Sequence, residues 1–261
     1  MRTALSEKLE PGLIREGLHE LQTELKELSG NLKIEIKRLE TTNGGWIQIE
    51  FNGEDSEVFS ETLKRKYGHA PVEFSKLESG DIYRGYVVSS GKVGFGLYLD
   101  LGILSPSRID GLYPLYRIRA QLTDGSVEPL RQIVRRFGLY DCLPLDVRIE
   151  ELEGSGRMIL ALTDSQESYF KDLERYPFDR VIVVGSLPGT VDAAIRKSGL
   201  EGDIVRVERL SFTVNILTCK LGTEAPGVIS KLGRHLSSAR LHPFIPRWRA
   251  QTKKGVGAGR I

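Results

Sequence analysis

Short runs of alternating apolar and polar residues, punctuated by glycine, dominate positions 80–166. Ile82 to Val88 reads as one strand. In the next, Leu97, Leu99 and Leu101 fall on one face and Tyr98 and Asp100 on the other. Glycines at 91, 94, 96 and 102 supply the turns and bulges that curl a small sheet into a closed barrel. A third short strand starts at Asp110, and a long connection with a helical pattern from Val127 to Phe137 follows it. Pro144 to Glu153, a Gly154-Ser-Gly156 turn and Arg157 to Leu162 form the closing hairpin. The pattern therefore predicts five strands with a helix before the fourth.

The flanks follow a different rhythm. Upstream come a strand near Arg2 to Leu5, a helix from Pro11 to Leu28, and strands from Leu32 to Leu39 and Trp46 to Phe51. A helix from Ser56 to Tyr67 and a strand near Pro71 to Phe74 complete that part. Asn43-Gly44 tolerates the positive φ of a tight hairpin, and Leu13, Leu18, Leu21, Leu25 and Leu28 give the first helix its apolar stripe. Downstream, strands are expected at Val181 to Val184, Asp203 to Leu210, Thr213 to Leu221 and Arg240 to Phe244. Helices are expected at Gly189 to Lys197 and Val228 to Leu236.

Each flank thus reads β-α-β-β-α-β, the ferredoxin-like pattern. Leu9-Glu-Pro-Gly12 parallels Leu187-Pro-Gly189, and Ile36-Lys-Arg-Leu39 parallels Val207-Glu-Arg-Leu210, so the order of elements predicts a duplication. The alternative is that both halves use a common fold independently. The expected fold class is an α+β multidomain chain: a ferredoxin-like half at 1–75, a barrel at 76–166, a second half at 167–246 and a flexible basic tail at 247–261.

Composition refines this picture at two points. Hydrophobic content of 40% and charged content of 28% describe a globular chain, and no apolar run is long enough to span a bilayer, so the expectation is a cytoplasmic protein without membrane contact. The net charge of +2 is uneven: residues 1–75 carry 10 basic and 14 acidic side chains, 76–166 carry 11 and 12, and 167–261 carry 16 and 9. A basic C-terminal third points to a polyanionic partner or to a solvated surface. The last fifteen residues hold five basic side chains and no acidic one. Arg247, Trp248, Arg249, Lys253 and Lys254 there are candidates for nucleic-acid contact, with a solubilising terminus as the other reading.

Catalytic signatures are thin, and the expectation is a protein that is not an enzyme and takes no cofactor. Val184-Gly-Ser-Leu-Pro-Gly-Thr190 opens a helix but lacks the lysine and spacing of a P-loop. His19, His69, His235 and His242 have no metal-ligand spacing, and Cys142 and Cys219 read as buried thiols.

The Gly80-Asp opening, the second strand Phe95-Gly-Leu-Tyr-Leu-Asp-Leu-Gly102, the Gly111-Leu third strand and the final Arg157-Met-Ile-Leu-Ala-Leu162 together resemble the S1 domain, an OB-fold RNA-binding module. The resemblance covers about a third of the chain. It implies a nucleic-acid face at Phe95, Tyr98, Pro114, Glu153 and Arg157, with proline standing where the family often has histidine. Lys92, at the end of the Ser89 to Lys92 loop, joins that face as a cation. The whole arrangement is similar to an uncharacterised family of archaeal proteins. These resemblances imply a non-catalytic binder of single-stranded or structured RNA in transcription, translation or RNA metabolism. Docking on RNA polymerase or ribosome components through the barrel is the alternative.

Overall fold

The computed structural model describes residues 1–154 and 156–246. It is a mixed α+β structure with a closed five-stranded barrel and two further antiparallel sheets. The N-terminal sheet is built from β1 (Arg2–Lys8), β2 (Ile34–Thr41) and β3 (Trp46–Gly53) in the order β1-β3-β2. Helices α1 (Ile14–Ser29) and α2 (Ser56–Tyr67) cover it. The apolar stripe of α1 does what its spacing requires: Leu21 and Leu25 are buried with Ile47, Ile49 and Phe51 of β3 and with Phe59 and Leu63 of α2. Each fully buried leucine contributes about 1.5–3 kcal/mol relative to exposure.

The strand expected near Pro71 to Phe74 does not form. Leu5 bridges His69 and Glu73 bridges Ser105 as isolated pairs, and Phe74–Lys76 is a short 3-10 turn. Pro71 has no N–H to give a ladder, and Val72 sits at a φ of 58°, which an extended strand does not allow.

The barrel consists of β4 (Ile82–Val88), β5 (Gly96–Asp100), β6 (Asp110–Pro114), β7 (Pro144–Glu153) and β8 (Arg157–Leu162), closed in the order β4-β5-β6-β8-β7. Period-two alternation sends Leu97 and Leu99 inward with Val87, Tyr113, Val147 and Leu160. Two helices lie between β6 and β7, α3 (Leu115–Leu122) and α4 (Leu130–Phe137), where the sequence pattern had indicated one. The missed helix has Leu115, Ile118 and Leu122 at helical spacing. Gly138 ends α4 in the left-handed conformation, with its N–H on the Val134 carbonyl.

A further helix, α5 (Asp164–Arg175), leads out of the barrel. Its signal was a capping pattern: the Thr163 hydroxyl accepts from the Gln166 N–H at 3.2 Å, and Phe170 and Leu173 follow on the buried face. The C-terminal sheet then comprises β9 (Arg180–Val184), β10 (Ile204–Ser211), β11 (Val214–Cys219) and β12 (Arg240–Phe244) in the order β10-β11-β9-β12, with α6 (Pro188–Lys197) and α7 (Ala225–Leu232). Strand β9 is buried throughout, which explains its unbroken apolar run. Ile182 and Val184 join the core shared with the barrel, while Val181 and Val183 pack with α6 and α7. Among the described residues, no helix is long and apolar enough to cross a membrane.

Two buried carboxylates join the three units. Asp100, 1% exposed, accepts from Lys8 Nζ at 2.6 Å, Trp46 Nε1 at 3.1 Å, the Gly102 amide at 3.0 Å and Arg108 Nη2 at 2.7 Å. Glu7, 5% exposed, accepts from the Phe212 amide at 2.7 Å and from the Tyr86 hydroxyl at 3.4 Å, linking β1 to both the barrel and the C-terminal sheet. Trp46 packs edge-on against Tyr86 with ring centroids 5.4 Å apart. At a third contact, Glu24 pairs with Arg209 at 2.8 Å and with Lys66 at 3.2 Å.

Asp100→Ala leaves a partly buried ammonium and a buried indole N–H without their acceptor, so we expect a loss on the order of 3 kcal/mol in urea unfolding. A midpoint equal to that of the parent would show that the seam does not depend on this carboxylate. Glu7 has a different signature. Burial raises its pKa from 4.5 to about 7, against the Phe212 hydrogen bond and the charges of Arg84 and Arg209. The folded chain therefore holds a proton that the unfolded chain has released, and this contribution is fully present below pH 4.5 and lost as pH rises through 7. Glu7→Gln removes the titration. Its stability relative to the parent should rise between pH 5 and 8, by on the order of 3 kcal/mol at most, in paired urea melts.

Candidate nucleic-acid interface

The second barrel strand divides the outer surface into a covered part and an open part. Asp100 points outward but lies beneath the N-terminal unit, whereas Tyr98, two residues earlier on the same face, is only half-buried. Phe95 immediately precedes the strand and is 55% exposed, its ring edge-to-face with that of Tyr98 at 6.3 Å and 85°. Sequence reasoning placed a bulge here. The structure instead shows a close approach: a side chain at Gly96 would come within 2.6 Å of the Tyr113 carbonyl, so β6 lies tight against the glycine and Phe95 is left at the strand's outer end. The Leu115 amide donates to the Phe95 carbonyl at 2.8 Å, which holds the aromatic's backbone in place.

Register extends the open face across four strands. Val88 pairs with Tyr98, Tyr98 with Leu112, and Leu112 with Ile159, giving a continuous apolar row in which Ile159 is buried and the other three are half-buried. The alternation of β4, β6 and β8 could have identified Val88, Leu112 and Ile159. Sequence reasoning concentrated on aromatics and missed them.

Lys92 is exposed in the loop before Phe95, a loop tied down by the Ser90 amide donating to Asp141 at 2.6 Å. Glu153 and Arg157 are exposed at the closing hairpin and pair with each other at 3.3 Å. They stand at the far end of the face from Phe95: Arg157 is two residues beyond Ile159, which places it roughly 15 Å along the strands from the aromatic. The structure therefore brings Phe95, Tyr98 and Lys92 to one end and Glu153 and Arg157 to the other, with the apolar row between them. Pro114 is buried opposite Gly96 and serves as the residue before α3, so it offers no surface for a ligand.

The candidates Arg247, Trp248, Arg249, Lys253 and Lys254 lie outside the described residues. Within the described part, the basic character of the C-terminal third is largely consumed internally. Arg180 is buried and donates to the Leu173 and Phe178 carbonyls, Arg209 pairs with Glu24, Arg240 with Glu10 at 2.8 Å, and Arg206 with Glu208 at 3.2 Å. A sum over sequence does not distinguish such spent charges from a free patch.

The remaining chemistry-bearing residues are used structurally. Gly185 and Ser186 amides both donate to the Thr213 carbonyl, at 2.9 and 3.2 Å, so the turn before α6 has committed two of its donors to the protein. His242 stacks on Tyr140 with centroids 3.9 Å apart, and burial followed by the Arg240 charge pushes its pKa below the usual range. Cys219 is buried as expected. Cys142 is only partly buried and accepts from Arg240 at 3.3 Å. Among the described residues, no group of three or more His, Cys, Asp or Glu is arranged to hold a metal.

Comparison with known proteins locates this architecture. No curated protein matches the chain. Residues 77–174, which run from the start of the barrel through α5, match the DUF2110 central domain, and residues 178–242, the C-terminal sheet with its helices, match the DUF2110 C-terminal domain. The barrel and the sheet packed on it are thus two successive domains of a single family, and the chain belongs to the DUF2110 family.

Proposed function

We propose that this chain is a non-catalytic protein that binds single-stranded RNA on the open barrel face. The observation that carries the reading is Phe95, 55% exposed and held edge-to-face against Tyr98 on a surface otherwise made of a half-buried apolar row. An exposed aromatic pair offers π-faces to any base, and stacking is worth about 1–3 kcal/mol per base. Strand order supports an OB-fold, S1-like reading of the barrel: first, second, third, fifth, fourth, closing on the first, with the third and fifth parallel. OB folds bind oligonucleotides on strands two and three and on the loops between strands one and two and between four and five. Tyr98 and Leu112 occupy those strands here, Lys92 and Phe95 the first loop, and Glu153 and Arg157 flank the second.

The flanking units support a ferredoxin-like duplication in the same way. The C-terminal order β10-β11-β9-β12 corresponds to second, third, first, fourth. The N-terminal order β1-β3-β2 corresponds to it with the fourth position reduced to the Leu5–His69 bridge. We read the two units as one ancestral element on either side of the barrel.

A protein partner, such as a polymerase or ribosomal component, is the second reading. It is favoured by the uncharged row Val88, Tyr98, Leu112 and Ile159 and by the self-neutralising Glu153–Arg157 pair.

Replacing Phe95 and Tyr98 together by alanine should weaken single-stranded RNA binding about 10-fold or more with the salt slope unchanged, because stacking is not electrostatic. A folded double variant that binds RNA like the parent would sink the proposed face. Arg157→Ala should weaken binding and lower the salt slope by about 0.7, as expected for one phosphate contact on a single strand. If the parent binds no RNA but retains polymerase or ribosomal subunits in a pull-down, the protein-docking reading replaces this one.

A further inference from the structure

The last turn of α2 carries three consecutive cations, Lys64-Arg65-Lys66, and faces the first half of β4 across a groove of about 530 Å³. Basic residues at a helix C-terminus are ordinary, since they oppose the partial negative charge of the free carbonyls. What needs explaining is how these charges are balanced. Lys66 is accounted for by Glu24 at 3.2 Å. Lys64 and Arg65 are exposed and have no ion-pair partner among the described residues.

The acids of the opposite wall do not reach them because they are already engaged. The Asp81 carboxylate accepts from the Glu78 amide at 2.9 Å and from the Tyr83 hydroxyl at 3.4 Å. The Asp146 carboxylate is held in the fork of Arg84, at 3.0 and 3.4 Å. The groove therefore sets two unpaired cations along one side against a single carboxylate on the other, Asp81, whose donors are neutral and leave its charge in place.

Beside these charged groups the groove also holds two rings. Tyr83 and His69 meet edge-to-face with centroids 6.1 Å apart, and Ile82 beside them is 55% exposed. Partial burial of the ring, and then the Lys64 charge, hold the pKa of His69 below the usual histidine value. Cations along one wall and a ring pair where the two walls meet are the two parts of a single-strand track: charge follows the backbone and rings receive bases.

We propose that the groove between α2 and β4 is a second contact for single-stranded RNA, with Lys64 and Arg65 on successive phosphates and the Tyr83–His69 edge receiving a base. This extends the barrel-face reading and rests on it. Ile82 lies six residues before Val88, the neighbour of Tyr98, so the two contacts are roughly 20 Å apart along β4. Tyr86 between them is covered by the N-terminal unit, so a strand engaging both contacts passes around that unit, within the roughly 4–16 nucleotides typical of an OB fold. The groove lies at the seam of the N-terminal unit and the barrel, so RNA held there engages the N-terminal unit despite that unit's net negative charge.

The test is anisotropy of a labelled oligouridylate with the full chain over a range of KCl concentrations. Lys64→Gln with Arg65→Gln should reduce affinity about tenfold or more near 0.1 M salt and flatten the logarithmic salt slope by about 1.4, the value for two single-strand phosphate contacts. Lys64→Arg with Arg65→Lys should keep the parent slope. Arg131→Gln with Arg135→Gln, two exposed cations of α4 outside the groove, should change it little. An unaltered slope in the Lys64 and Arg65 glutamine variant, while the parent binds RNA and the Phe95 and Tyr98 variant does not, overturns the groove and leaves the barrel face standing. Equal flattening by the α4 pair overturns it as well, since net charge alone would then be responsible. If the parent binds no oligouridylate at any salt concentration, both contacts fail together.

Discussion

A carboxylate with no access to water needs its full complement of donors, and Asp100 finds them on two units at once: Lys8 and Trp46 from the N-terminal sheet, Gly102 and Arg108 from the barrel. The seam cannot slide without stranding a charge. Glu7 extends the same constraint to the third unit through the Phe212 amide. Its proton is shared between folding and pH, because burial outweighs the hydrogen bonds and nearby cations that favour the ionised form. Three units that each have a core of their own are thereby held in one arrangement.

That arrangement decides what the barrel offers to a partner. Tyr86, Asp100 and Tyr98 all face outward, yet Tyr86 and Asp100 are buried under the N-terminal unit and Tyr98 is not. The open face is the remainder of an outer surface after docking, and it begins where the cover ends. The groove beside α2 arises from the same docking, because one of its walls belongs to each unit.

Charge follows a similar logic. The C-terminal third has the largest positive sum, but many of its described cations reach carboxylates or carbonyls of neighbouring elements. The N-terminal 75 residues sum to a negative value and still present Lys64 and Arg65 without partners. Binding depends on which charges remain uncompensated in space, and a sum over a stretch of sequence does not give that.

The amphipathic stripe of α1, the alternation in β5 and the apolar run of β9 were legible because each is a local demand on burial; the hairpin after β2 was legible too, although its positive φ falls on Gly45 and not on Asn43-Gly44. The same demands located five barrel strands and placed Tyr98 on the outward face of the second, with Phe95 just before it. Helices α3 and α5 escaped because their signals are short, a single apolar spacing in one and a capping hydroxyl in the other. The strand near Pro71 was lost to a missing N–H and a left-handed valine. Local pattern cannot state which outward residues another unit covers, that Arg157 stands at the opposite end of the face from Phe95, or that Asp146 pairs with Arg84 and leaves Lys64 and Arg65 without a partner. Those are relations between residues far apart in the chain, and they exist only once the buried carboxylates have set the three units against one another.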